Sequence, residues 1–152
     1  MMTPLAAPYP KSTAWLGYGG LLPFLMLPAV AWLDPHHALW WLDALRAYGA
    51  VILTFVGALH WAFAMTLPEL PPSRRTALYI WSTLPALIAW PSLMLIPTAA
   101  CLLLIIGFVL HLVQDRRLVH IADLPDWYLP LRLRLTTVAC LALGVGFWLG
   151  YR

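Results

Sequence analysis

The chain is poor in charge: 10% of its 152 residues are charged, whereas 62% are hydrophobic. A soluble domain carries roughly a quarter charged residues, so this chain cannot cover its own surface with polar groups. We therefore predict that its solvent is lipid. The basic residues, which give a net charge of +3, fall at the ends of apolar segments rather than in one patch. That distribution is typical of a membrane topology signal and argues against nucleic-acid binding.

Cysteine and the common catalytic motifs are also scarce. Cys101 and Cys140 each stand alone inside an apolar run, which favours small core residues over a disulfide or a cysteine metal site. The sequence contains no P-loop, Rossmann glycine fingerprint, zinc-protease motif or nucleophile elbow. We therefore expect a non-enzymatic protein without a cofactor or a metal ion.

Five long apolar segments are present instead: Ala14–Leu33, Asp43–Thr66, Thr76–Trp90, Thr98–Gln114 and Leu131–Tyr151. Crossing the hydrocarbon core takes roughly 20 helical residues, a length that the first, second and fifth segments reach. The third and fourth are shorter, so we expect two tilted spans there, with a partly re-entrant hairpin as the alternative. The sequence predicts an all-α fold, a single domain over residues 1–152 built as a bundle of five transmembrane helices.

The basic residues predict the orientation of this bundle. With five spans, the N-terminus, the second loop and the fourth loop share one side of the membrane. That side holds Lys11, Arg74, Arg75, Arg116, Arg117, Arg132 and Arg134, and the other side holds Arg46 and Arg152. The positive-inside rule then predicts a cytoplasmic N-terminus. We expect a multi-pass protein of the bacterial cytoplasmic (inner) membrane.

His60 stands in the middle of the apolar run FVGALHWAFAM. At 100° per residue it shares a helix stripe with Gly49, Leu53, Val56 and Ala64. Most side chains of this stripe are small, so another helix can approach it closely. We therefore predict that His60 faces the bundle interior, where an ionisable residue is a candidate functional site. The simpler interpretation is a neutral histidine that bonds to a neighbouring helix, and we expect that helix to belong to segment one or three.

Other histidines offer weaker candidates. His111 lies near the end of segment four, displaced from His60 by roughly 6 Å along the membrane normal, so joint haem ligation would require tilt. His36 and His37 follow Asp34 and Pro35 in the first loop, with Asp43 nearby, and a metal could bind there on the outer face. The simpler interpretation is that they are ordinary polar loop residues.

The fourth loop, VHIADLPDWYLPLRLRLTT, is the most distinctive polar stretch. Its candidate motif consists of Asp123, Pro125, Trp127, Tyr128 and Arg132. One interpretation is an interfacial element that binds lipid headgroups or a partner. The alternative is an anchor whose arginines snorkel to the cytoplasmic surface.

Segment five carries a small-residue motif, Gly146-x-x-x-Gly150, which permits close approach of another helix. We expect this motif to pack inside the monomer, with a homodimer contact as the alternative.

Two stretches, YGAVILTFVGALHWAFAM and LPDWYLPLRLRLTT, also carry a resemblance. Together they resemble a domain-of-unknown-function family of small multi-span inner-membrane proteins that includes transmembrane protein sixty-nine. The matching positions in the first stretch include Tyr48, Phe55, Gly57, His60 and Trp61. The resemblance implies a multi-span inner-membrane protein without an established activity.

Two functional hypotheses remain open. The first is an accessory or assembly partner of a membrane complex, with membrane lipids and other membrane-protein subunits as partners. The second is a carrier or sensor of a small porphyrin- or lipid-like ligand, built around His60. The nine tryptophans and the helix number make the chain similar to tryptophan-rich sensory proteins, which bind porphyrins, but this second resemblance is only an analogy.

Overall fold

The computed structural model describes residues 11–152, which contain helices and short connections and no strand. The α-helices are α1 (Lys11–Gly19), α2 (Leu22–Leu33), α3 (Ala38–Thr66), α4 (Pro72–Ser92), α5 (Pro97–Val119) and α6 (Tyr128–Tyr151), and a 3₁₀ turn (Pro35–His37) precedes α3. The predicted all-α bundle is confirmed. The first ten residues of the predicted domain lie outside the described part of the chain.

Four stretches are long and apolar enough to cross a membrane: 11–33, which joins α1 and α2, and then 35–66, 97–119 and 128–151. Helix α4 is less apolar because its first turns carry Arg74 and Arg75. Its 21 residues nevertheless extend about 31 Å, enough to cross the hydrocarbon core. Helices α4 and α5 are continuous and are joined by a short turn over residues 93–96.

The first segment is interrupted between Gly19 and Leu22 rather than at its prolines. Pro23 lies in the first turn of α2, where the missing amide hydrogen costs nothing. At the interruption, the Tyr48 hydroxyl on α3 donates a hydrogen bond to the Gly20 carbonyl at 2.7 Å. Tyr48 thus fixes the entry of α2 against the central helix.

Glycines set the closest helix contacts. A Cβ atom at Gly57 of α3 would lie 2.7 Å from the Pro85 ring of α4. One at Gly146 of α6 would lie 2.6 Å from the Leu45 side chain, and one at Gly150 would lie 2.9 Å from the Thr98 side chain of α5. The small-residue motif of α6 therefore packs within the chain, as predicted.

Contacts at the helix ends define two ends of the bundle. Arg75 at the start of α4 donates to the carbonyl of Leu67, just after α3, at 2.8 Å. At the opposite end, Arg46 near the start of α3 donates to the carbonyl of Leu95, just after α4. We call the end with the C-termini of α3 and α5 and the N-termini of α4 and α6 the basic end. The candidate site described next lies close to it.

Candidate functional site

The site is built around a fully buried carboxylate, that of Asp115 on α5. Helix α6 holds this carboxylate at two points. Arg132 donates from Nε to Asp115 Oδ2 at 2.7 Å, and the Tyr128 hydroxyl donates to Oδ1 at 2.9 Å. Since Tyr128 and Arg132 are four residues apart, one helical face supplies both contacts. The arginine neutralises the buried negative charge.

Two fully buried histidines complete the cluster, His60 on α3 and His111 on α5. Their Nε2 atoms lie 3.6 Å and 3.8 Å from Asp115 Oδ1, and their ring centroids are 4.7 Å apart. The predicted inward orientation of His60 is confirmed, whereas the large offset from His111 is wrong. The expected partner of His60 on segment one or three is also wrong, because its nearest charged group is on α5.

Trp81 of α4 determines how His111 is protonated. The indole Nε1 donates to His111 Nδ1 at 3.2 Å, and an indole nitrogen can only donate. Nδ1 must therefore carry a lone pair, so the neutral imidazole has its hydrogen on Nε2, the atom nearer to Asp115. The ring stacks on the indole with an interplanar angle of 16°.

Several buried polar atoms of this cluster have no hydrogen-bond partner within the described residues. They are His60 Nδ1 and Nε2, His111 Nε2 and Arg132 Nη2. More than nine in ten buried polar groups in proteins are hydrogen-bonded, and each exception costs free energy. Their concentration around one carboxylate makes this cluster the candidate site within the described residues.

The cluster has the composition and dimensions of a metal site, although the sequence predicted none. Of the residues from 11 to 152, only His60, His111 and Asp115 form a group of three potential ligands, with ligand atoms all within 4.8 Å of one another. Tetrahedral zinc bonds of roughly 2.0–2.2 Å place neighbouring ligand atoms about 3.3 Å apart. The two histidine nitrogens lie 3.6 Å and 3.8 Å from Asp115 Oδ1, and the whole set spans up to 4.8 Å, so the side chains would have to move closer together around an ion.

The remaining residues of the first motif lie away from the cluster. Phe55 is 64% exposed and faces outward. Trp61, which is half exposed, contacts Tyr79 of α4 edge to face, with ring centroids 4.8 Å apart. Gly57 and Tyr48 act in helix packing, as described above. Of the first motif, only His60 belongs to the buried cluster, where its ring contacts that of His111.

The fourth-loop motif is divided in the same way. Tyr128 and Arg132 belong to the buried cluster, whereas Asp123 and Pro125 are exposed. Trp127, partly buried, directly precedes α6. The snorkelling interpretation of Arg132 is wrong, because its side chain turns inward to the carboxylate that it neutralises.

The first-loop histidines do not form a metal group in the structure. His37 contacts the carboxylate of Asp34 at 2.9 Å, and Trp41 donates to the same carboxylate at 3.2 Å. The Trp41 hydrogen bond is the main reason why the pKa of Asp34 lies below its usual value, and His37 lowers it further. Asp43 pairs instead with Arg46 at 3.0 Å.

Sequence reasoning missed Asp115 and the role of Trp81. Asp115 seemed to end segment four, within the run Gln114-Asp115-Arg116-Arg117. Its spacing of four residues from His111 was the available signal, because that spacing places both side chains on one helical face.

The fold and the site together define a polytopic integral membrane protein with a buried cluster of ionisable side chains. Residues 9–148 match a family described as a protein of unknown function, DUF3429. The chain belongs to this family, which confirms the resemblance drawn from its motifs.

Two relatives are named Transmembrane protein 69. The protein from Xenopus tropicalis is 36% identical over 137 residues, which cover 88% of this chain and 53% of the relative. The protein from Mus musculus is 27% identical over 135 residues, which cover 86% of this chain and 53% of the relative. The chain thus spans about half the length of these relatives. No solved structure matches it.

Proposed function

We propose that this membrane protein binds a divalent transition-metal cation at His60, His111 and Asp115, and that it is not an enzyme. The observation that carries the proposal is the convergence of unpartnered histidine nitrogens on one buried carboxylate oxygen. Two imidazoles and a carboxylate suit Zn²⁺ and neighbouring metals better than Mg²⁺ or Ca²⁺, which prefer oxygen ligands.

The surroundings of Asp115 support this assignment. Metal-binding carboxylates are usually held by further hydrogen bonds, which orient them toward the ion. Arg132 donates to Oδ2, and the Tyr128 hydroxyl donates to Oδ1, the oxygen that also faces both histidines. His60 lies six residues before the end of α3, about 9 Å from the basic end.

The two hypotheses drawn from the sequence fare differently. A ligand function centred on His60 is retained, but with a small cation, since the rings of His60 and His111 are in contact and leave no room for a porphyrin between them. An accessory or assembly role was motivated by the small size of the chain, the lack of catalytic motifs and the small residues on α3 and α6. Pro85 and Leu45 of the same chain pack against those small residues, and the accessory role itself stays a prediction.

The test is metal binding by the purified protein in mild detergent, with Co²⁺ as a spectroscopic probe and Zn²⁺ as competitor. We expect one ion per chain and visible d–d bands typical of mixed nitrogen and oxygen ligation. His60→Gln and His111→Gln should each weaken binding by at least about tenfold, since each removes one of three ligands. His120→Gln is the matched control, because His120 is exposed at the end of α5 and lies outside the group.

Two outcomes would contradict the proposal. One is wild-type protein that stays folded and binds no Co²⁺ at micromolar concentration. The other is an equal loss of binding in the His60 and His120 variants, which would indicate adventitious surface binding. The melting temperature of each variant in the same detergent separates loss of a ligand from loss of the fold.

We also propose that the basic end faces the cytoplasm of a bacterial inner membrane, as the excess of basic residues there supports. A cysteine at an exposed position of the fourth loop tests this orientation. Asp126→Cys, exposed in the fourth loop, is suitable in a background that lacks Cys101 and Cys140. A membrane-impermeant thiol reagent should label it only after the cytoplasmic side is opened. Labelling of intact cells from outside would show that the basic end faces away from the cytoplasm and would contradict the proposed orientation.

A further inference from the structure

A second site lies on the surface of the basic end, in a groove of about 350 Å³ between the start of α4 and the end of α5. It is lined by Arg74, Ala77, Leu78, Gln114, Arg117, His120 and Ile121. The lining combines two guanidinium groups, an imidazole and an amide with apolar side chains. It contains no carboxylate, so its charge is of one sign.

The two arginines that line this groove are exposed, and neither pairs with a carboxylate within the described part of the chain. Other arginines are engaged: Arg46 pairs with Asp43, and Arg132 pairs with Asp115. Two guanidinium groups without a carboxylate partner in one concave surface attract an anion strongly. The arrangement of guanidinium N–H donors also matches the oxygens of a phosphate.

The position of the groove indicates where such a phosphate comes from. The groove opens at the ends of two helices of a membrane bundle, where apolar surface gives way to polar residues. Ala77 and Ile121, both exposed, place apolar surface beside the basic groups. Basic pockets between the ends of transmembrane helices, at the boundary between apolar and polar surface, are suited to anionic lipid headgroups. The volume is at the low end for ligand pockets and fits a headgroup.

We propose that this groove binds the phosphate of an anionic glycerophospholipid, with Arg74 and Arg117 as its principal contacts. The lipid's acyl chains then lie along the exposed apolar surface of α4 and α5. This site is independent of the metal cluster and involves none of its residues.

The test compares lipid retention by native mass spectrometry of the protein in detergent, with phosphatidylglycerol and phosphatidylcholine as probes. Each arginine near an anionic membrane surface contributes a factor of about five in affinity. We therefore expect wild type to prefer phosphatidylglycerol, and the Arg74→Gln/Arg117→Gln double variant to lose about 20- to 30-fold of that preference. The matched control is Arg116→Gln, since Arg116 is exposed beside Arg117 but does not line the groove.

The single variants Arg117→Gln and Arg116→Gln make the comparison decisive, because they remove the same charge one residue apart. Equal loss in both would refute a built site and indicate diffuse attraction to the basic end. Absence of any preference in folded wild type would refute lipid binding. Inorganic phosphate at millimolar concentration serves as a second probe. If inorganic phosphate displaces the phosphatidylglycerol from the groove, the groove binds a free anion and the assignment to a lipid fails.

Discussion

Trp81→Phe should tighten metal binding rather than weaken it. The indole of Trp81 holds His111 in the tautomer that carries a hydrogen on Nε2, the nitrogen that faces Asp115. A metal can bind Nε2 only after that hydrogen leaves, and a proton moved to Nδ1 would face the indole N–H, another donor. Trp81 therefore opposes ligation by His111. Phenylalanine keeps an aromatic ring beside the imidazole and removes the donor.

The size of this effect follows from the one hydrogen bond that ligation must break. Such a bond is worth about 1 kcal/mol in proteins and about 0.6 kcal/mol on average inside a membrane protein. Those values correspond to an increase in affinity of roughly three- to fivefold. Competition between Co²⁺ and a chelator of known affinity, followed by visible absorption, resolves a change of that size.

The matched control is Trp90→Phe, on the same helix but 63% exposed, which should leave the affinity unchanged. A folded Trp81→Phe protein whose metal affinity is unchanged or lower would refute the reasoning. An unchanged affinity would mean that His111 is not a ligand. A lower one would mean that Trp81 supports the bound state, the opposite of a competing donor.

The fold was largely predictable because hydrophobicity locates the membrane helices along the chain and gives their order. A protein dissolved in lipid must satisfy its backbone hydrogen bonds internally, so apolar segments of this length become helices. The inward face of α3 was predictable for a related reason, since slim residues at helical spacing allow a neighbouring helix to approach. All five residues of the stripe that contains His60 are buried.

The site was not predictable in full because it uses the polar residues at which the apolar segments appeared to end. Helix α5 continues to Val119, beyond the expected end at Gln114, and so it includes Asp115. Helix α6 begins at Tyr128 instead of Leu131. A hydropathy pattern ends a span at its first charges, whereas a carboxylate and an arginine from two helices can neutralise each other and remain buried. That pairing is a tertiary contact, which composition along one segment does not encode.

Two further predictions concern stability in detergent, measured as the melting temperature. Gly57→Ala should destabilise the protein by about 1–3 kcal/mol, since the new methyl group would overlap the rigid Pro85 ring, whereas Gly144→Ala, with open space around its Cα, should not. Asp115→Asn should cost about 3–5 kcal/mol, because it leaves the charge of Arg132 buried without a partner. The double variant Asp115→Asn/Arg132→Gln removes that unpaired charge, so it should recover part of the loss. A double variant that melts no higher than Asp115→Asn would show that the carboxylate stabilises the bundle through Tyr128 and the histidines instead of through its ion pair.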